Sequence, residues 1–274
     1  MSRMFDRFAR EQLATGTITL NHGLEIVEVL GYSGLDFICI DMMVTSLDWS
    51  EVAQMVLAAK RYEVTPWVRL SAYPWGDGEM DAALPAQVLR AFGLGAECVL
   101  ASVNTARQVA RLHDPLANPH RRFYIRQGGE GRTEAQRRID AAEPELRVVP
   151  IIESTSALKH IDEILEVPGL RMIYLGMGDL TKALGHSGDD RHPDVREVLG
   201  QIVGKARSRG VVVCANALGY KYGVDLSELI TDSVESLWAL GVRAVLVPRP
   251  TMIIQYFYEK TLERLRDRLK GSYP

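Results

Sequence analysis

Short apolar runs alternate with segments of helical period along this chain. The runs are Thr17–Leu20, Leu35–Asp41, Thr65–Leu70, Ala96–Ser102, Val148–Ile152, the MIYL stretch from Met172, Val211–Asn216 and Arg243–Pro248. LDFICID is apolar almost throughout, as expected of a strand buried on both faces. Between the runs, apolar residues recur at helical spacing. The spacing predicts helices from near Gly23 to Gly31, over Leu47–Arg61 with Asp48 as N-cap, and over Met80–Phe92 and Thr105–Leu112. Further helices are expected over Thr133–Ala142, Ala157–Leu165, Pro193–Arg209 and Leu226–Leu240. Ser154, Thr155 and Ser156 offer a cap to the Ala157 helix, and Pro168-Gly169 stops it. Eight strand–helix units are the count of a TIM (β/α)8 barrel, an α/β fold in which crossover helices keep all strands parallel. Such barrels are single domains of about 250 residues, so residues 1–274 are expected to form one domain. An extra C-terminal helix, residues 251–270, is amphipathic, with Ile253, Phe257, Leu262, Leu265 and Leu269 near one face.

Parallel strands deliver their C-terminal ends to one rim, where barrels place their chemistry. Glu153 follows VVPII and Asp179 follows MIYLGMG, one strand apart. Two carboxylates there suit a hard divalent cation such as Mg²⁺ or Mn²⁺, which keeps positions open for water and a substrate oxygen. Acids at strand ends also serve as solvated loop residues or helix caps. Arg69 closes the third strand, and a guanidinium so placed needs an anionic ligand or an ion pair with Asp41 or Glu153. Asp41 then orients Arg69 or supports the metal from a second layer. Asn21, His22, Ser102, Asn104, Asn216, Pro248 and Arg249 share the same rim. His22 is the histidine best placed to move a proton. His186 and His192 follow the Asp179 loop and could cap or orient it, whereas Lys182 has no apolar setting to make it a Schiff-base lysine.

Composition narrows the partners. A net charge of −3 gives no basic field for nucleic acid, and no apolar stretch reaches the roughly 20 residues that cross a bilayer. Arg121, Arg122, Arg126, Arg132, Arg137 and Arg138 are interleaved with acids. They lie in and beyond the irregular stretch Asp114–Gly131, a functional excursion or interface arm by its length. Cys39, Cys98 and Cys214 sit inside apolar runs without zinc spacing, as small buried residues of a reducing compartment. The N-terminal segment lacks the apolar core of a signal peptide, so a cytoplasmic location is expected.

The segment from Val148 to Val195 carries E-S-T-S-A-L-K-H-I-D-E-I, then G-M-G-D-L-T-K-A-L-G, then H-P. It resembles the HpcH/HpaI aldolases, metal-dependent (class II) pyruvate aldolases. GLDFICID and PWVRL extend the resemblance over most of the chain from about residue 17. The resemblance implies that Glu153 and Asp179 bind a divalent metal (Mg²⁺, Mn²⁺ or Co²⁺). It makes Arg69 the contact to the carboxylate and enolate oxygen of a 2-oxo acid, and gives the backbone of Gly176 and Gly178 the substrate carboxylate. It further implies a homo-oligomer, a hexamer or trimer of dimers, with the C-terminal helix on a neighbouring subunit.

The chain departs from the family after the second strand. Where the family has I-D-x-E-H, this sequence reads Ile40-Asp41-Met42-Met43-Val44, so the proton-handling histidine is replaced by Val44. The helix end that carries its aspartate partner holds Ala91 or Gly93. The family's contact loop after the seventh strand also differs, reading ANALGYKYG. The reading that follows is a carbon–carbon lyase or aldolase acting on pyruvate or a related 2-oxo acid through a metal-stabilised enolate, with an aldehyde or other acceptor. His22, water, the substrate or the arginine-rich loop would supply the proton steps. Decarboxylation of a 2-oxo diacid, which needs only the electron sink, and a non-catalytic metal- and oxyacid-binding role are the alternatives.

Overall fold

The structure, a computed structural model, describes residues 3–71, 76–78, 80–117, 147–217 and 226–269. Eight parallel strands close into a barrel in sequence order: β1 (Ala14–Thr19), β2 (Phe37–Asp41), β3 (Thr65–Arg69), β4 (Cys98–Ser102), β5 (Arg147–Ile152), β6 (Met172–Leu175), β7 (Val212–Asn216) and β8 (Ala244–Val247). Pairing of β1 with β8 shuts the ring. This is the TIM barrel that the alternation of patterns predicts.

The outer ring contains α2 (Leu24–Tyr32), α3 (Trp49–Arg61), α4 (Leu84–Leu94) and α5 (Ala106–Ala117), with α6 (Thr155–Lys159) and α7 (Ile161–Leu165) between β5 and β6. It continues with α8 (Met177–Ala183), α9 (Pro193–Ser208) and α10 (Leu226–Leu240), and α11 (Pro250–Arg268) follows the last strand. Asp48 caps α3 in a capping box: its carboxylate accepts the Ser50 and Glu51 amides while Glu51 accepts the Asp48 amide. The expected helix over Ala157–Leu165 is instead the pair α6 and α7, broken where His160 leaves helical backbone angles at φ −100° and ψ 13°. The helix expected over Thr133–Ala142 and most of the Asp114–Gly131 stretch lie outside the described residues.

Side chains alternate along every strand, which sorts them into two cores. Outward residues such as Ile38, Ile40, Val68, Val99, Ile152 and Val213 pack against the helices. Inward residues, including Phe37, Cys39, Trp67, Cys98, Leu100, Ile151 and Cys214, fill the barrel. All three cysteines are free and lie in this interior, where burial pushes their thiols up. Phe37 stacks on Trp67 with ring centroids 4.3 Å apart.

The floor of the barrel is closed by an element that the apolar pattern leaves unmarked. The N-terminal segment forms α1 (Arg3–Ala9), which buries Met4 and Phe5 among the inward residues. The Met4 amide donates to Thr65 Oγ1 at 3.2 Å. With one end plugged, the interior is open to ligands at the C-terminal ends of the strands.

Candidate active site

The last inward position of each strand supplies that rim. Asp41 and Arg69 are register partners on β2 and β3, so both side chains turn inward side by side. Arg69 Nη1 donates to Asp41 Oδ2 at 3.3 Å. Asp41 is 1% exposed, and its other oxygen accepts the Met43 and Val44 amides at 2.7 and 3.3 Å. Asp41 thus fixes the turn after β2 and the direction of the guanidinium together. Burial would lower the Arg69 pKa, but Asp41 and then Glu153 hold the guanidinium above its ordinary value. Its Nε is buried with no partner among the described residues.

Glu153, only 7% exposed, accepts from Ser102 Oγ at 2.5 Å. Burial pushes its carboxyl above the usual range. The Ser102 hydrogen bond and Arg69 pull it back, while Asp179 pushes it further up. Two carboxylates near enough for one to disfavour the charge of the other could share a cation. Asp179 is exposed and belongs to the first turn of α8 rather than to a loop; Lys182 lies on the same helix. Among the described residues these two acids gather no third carboxylate, histidine or cysteine into a tight cluster. The donor set therefore fits a hard ion held by one or two carboxylates and completed by water and ligand oxygens.

Gly176 shows why this geometry needs glycine. A Cβ there would lie 2.7 Å from Glu153 Oε2 and 2.9 Å from Glu153 Cβ. The side chain of Glu153 occupies the space, which makes Gly176 a condition for its position. The Gly176 amide is already donated to the Ile152 carbonyl at 3.1 Å, completing the ladder between β5 and β6. Of the two amides expected to hold a substrate carboxylate, Gly176's is thus committed to the barrel. Gly178 lies in the first turn of α8, where the helix itself offers its amide no partner. Asn216 fixes that turn, its Oδ1 accepting from the Met177 amide at 2.9 Å and from Tyr174 Oη at 3.1 Å.

A cavity of about 940 Å³ opens over this layer. Asp41, Arg69, Glu153, Gly176, Gly178 and Asp179 all line it, as do Met43 and Val44. Its far wall is made by residues 188–191 and by Glu228 and Asp232 of α10. His22 is not among the lining residues. Its Nδ1 lies 2.9 Å from Glu51 Oε1 at the start of α3, and both side chains are well exposed. The position after a strand brings His22 to the rim, but its partner draws it outside the cavity.

Two lining groups escape the rule of strand-end residues. Tyr174 lies two positions before Gly176, so period-2 alternation places it on the inward face; burial pushes its phenol up. Asp190 comes from the loop before α9, which strand spacing does not reach. Its carboxyl accepts from Ser233 Oγ at 3.2 Å, and burial raises it while Ser233 and Arg191 pull it down.

The fold and site define a β/α-barrel protein whose pocket combines an acidic pair with a clamped arginine. The family model for the HpcH/HpaI aldolase/citrate lyase domain matches residues 23–250, and the chain belongs to that family. It is 27% identical over 256 residues to a 4-hydroxy-2-oxo-heptane-1,7-dioate aldolase of Klebsiella pneumoniae, covering 90% of this chain and 89% of the relative. A 2-keto-3-deoxy-L-rhamnonate aldolase of the same species is 29% identical over 192 residues, 68% of this chain and 67% of that one. The crystal structure of an HpcH/HpaI aldolase from Desulfitobacterium hafniense superposes with a TM-score of 0.77 over the full length of both chains at 21% identity.

Proposed function

We propose that this protein is a metal-dependent carbon–carbon lyase or aldolase acting on pyruvate or a related 2-oxo acid. The observation that carries the reading is the layer of Arg69, Glu153 and Asp179 in one cavity, with the Glu153 carboxyl pushed up by burial and then by Asp179, against Ser102 and Arg69. Glu153 and Asp179 would hold the divalent ion, Mg²⁺, Mn²⁺ or Co²⁺, which when bound polarises the carbonyl of the 2-oxo acid and stabilises negative charge developing on it. Arg69, aimed by Asp41, meets the carboxylate of the same ligand with a fixed guanidinium. Ser102 holds Glu153 in place, and Asn216 holds the α8 turn that carries Asp179. Proton handling falls to a group that lines the cavity; Asp190 meets that condition and His22 does not.

A second reading has one observation in its favour. Val44 stands in the cavity wall at the position of the family's proton-handling histidine, beside Met43 at the position of its glutamate. Decarboxylation of a 2-oxo diacid on the same ligands needs the electron sink but no base for a second substrate's hydroxyl. Proton NMR of pyruvate in D₂O, with and without Mg²⁺ or Co²⁺, separates the two. Metal-dependent loss of the methyl signal that disappears in Glu153→Gln supports the aldolase. No exchange, with CO₂ still released from oxaloacetate, moves the assignment to the decarboxylase. Neither activity with a panel of 2-oxo acids would overturn both.

A further inference from the structure

We infer that His186, His192 and Asp194 form a second metal site, distinct from the Glu153–Asp179 pair, that takes a borderline divalent ion of the zinc type. His186 Nε2 lies 3.1 Å from Asp194 Oδ2 and His192 Nδ1 lies 3.7 Å from the same oxygen. One ligand atom from each of the three lies within 4.8 Å of the other two. Ligands about 2.0–2.1 Å from a tetrahedral zinc stand roughly 3.4 Å apart, midway between the two measured separations. The imidazoles are stacked, with centroids 3.5 Å apart and planes 16° from parallel, so one ring would turn out of the stack for both in-plane lone pairs to meet one ion.

The hydrogen bonding argues that the cluster is more than a chain of mutual bonds. The Asp194 amide donates to His192 Nδ1 at 3.3 Å as the N-cap of α9. Accepting that bond requires the Nδ1 lone pair, so this nitrogen carries no proton for the carboxylate 3.7 Å away. An unprotonated imidazole nitrogen is the form that binds a metal, and an ion drawn to the Asp194 carboxylate would take this lone pair over from the amide. The positive end of α9 opposes a cation there, but the Asp194 carboxylate in its first turn offsets it.

The loop that carries His186 is held in advance. Buried Thr181, on α8, accepts the His186 amide on its carbonyl at 2.8 Å and the Gly188 amide on Oγ1 at 3.0 Å. The Asp189 amide returns to the His186 carbonyl at 2.8 Å. His186 and His192 are half-buried and Asp194 is exposed, which leaves the remaining coordination positions to water. Two imidazoles and one carboxylate favour Zn²⁺ over Mg²⁺, whereas the all-oxygen pair in the cavity suits the harder ion. Residues 188–191 between the ligands form the far wall of the cavity. An ion bound at both ends of this loop would fasten that wall, so the site is a structural or regulatory clamp.

The test is calorimetric titration of Zn²⁺ into protein saturated with Mg²⁺, with circular dichroism confirming that each variant is folded. Uptake is expected in the wild type and, at the same affinity, in Glu153→Gln, where the cavity pair is disabled. Removing groups that only orient a metal ligand already weakens binding about 10–100-fold, so loss of a ligand in His186→Gln or Asp194→Asn should weaken it at least tenfold. No uptake in the wild type, or undiminished affinity in either folded ligand variant, overturns the site. The measurement does not depend on the proposed reaction: loss of activity in Glu153→Gln with zinc binding intact would support both.

Discussion

The position of the Glu153 carboxylate depends on a residue with no side chain. A methyl at Gly176 would approach Glu153 Oε2 to 2.7 Å and Glu153 Cβ to 2.9 Å, closer than real Cβ contacts come, so the carboxylate must be displaced and the chain at Glu153 or Gly176 must shift with it. Gly176→Ala is therefore expected to weaken metal affinity about 10–100-fold while the barrel stays folded, measured by Mg²⁺ or Mn²⁺ titration. Affinity equal to the wild type's would sink the idea that Gly176 makes room for a ligand. Gly178 provides the contrast, since a Cβ there meets nothing within 4 Å. His22 gives the opposite kind of prediction. With its ring on Glu51 and away from the cavity, His22→Ala should leave turnover within about twofold, a change that a group moving a proton in the transition state would exceed by orders of magnitude. A hundredfold loss would return His22 to the site. Asp190→Asn, by contrast, should lower kcat at least tenfold if the lining carboxylate handles a proton.

At the scale of elements, the strands were legible because inward and outward faces are both apolar and bounded by glycine, proline and charge. Asp41, Arg69 and Glu153 were legible for the same reason: each is a polar residue ending an apolar run. What spacing could not give was the partner of each side chain. His22 follows a strand as Asp41 does, yet one turns to Glu51 and the other to Arg69. Asp190 was hidden because a loop between two helices, not a strand, delivers it to the cavity. The plug α1 was hidden because a charged segment that buries only Met4 and Phe5 does not show a full helical stripe. Packing above that plug yields a stability prediction. Any Cβ at Gly16 on β1 would lie 2.5 Å from the Phe37 ring and from the Phe37 carbonyl oxygen. The ring is stacked on Trp67 and cannot retreat freely, so Gly16→Ala overpacks the interior. A cost of about 1–3 kcal/mol follows, a fall in Tm of roughly 2–10 °C by calorimetry. An unchanged Tm would mean that β1 and β2 slide apart at little cost.

At the scale of the molecule, the barrel satisfies its own strands, and among the described residues the long element left without a buried stripe is α11. Pro250 is its buried residue, while Ile253, Ile254, Phe257 and Tyr258 are exposed, Phe257 at 65% and Tyr258 at 62%. Apolar side chains clustered on two successive turns of a 19-residue helix form a patch that soluble chains normally cover. Among the described residues its contacts within the chain run to β1 and, through Tyr256 Oη, which accepts the Leu226 amide at 3.2 Å, to the start of α10. Since the closed barrel presents no free sheet edge, we propose that another copy of the chain covers this face. A closed assembly would repeat the same contact in every subunit, so one substitution acts on all copies at once. Ile254→Asp with Phe257→Asp places two charges on the face and none in the cavity or the barrel. The expected result is a smaller assembly by light scattering after size-exclusion chromatography, with the far-ultraviolet dichroism of the barrel retained. A wild-type chain that elutes as a monomer, or a variant that keeps the wild-type mass, would show that this face is not the contact between copies.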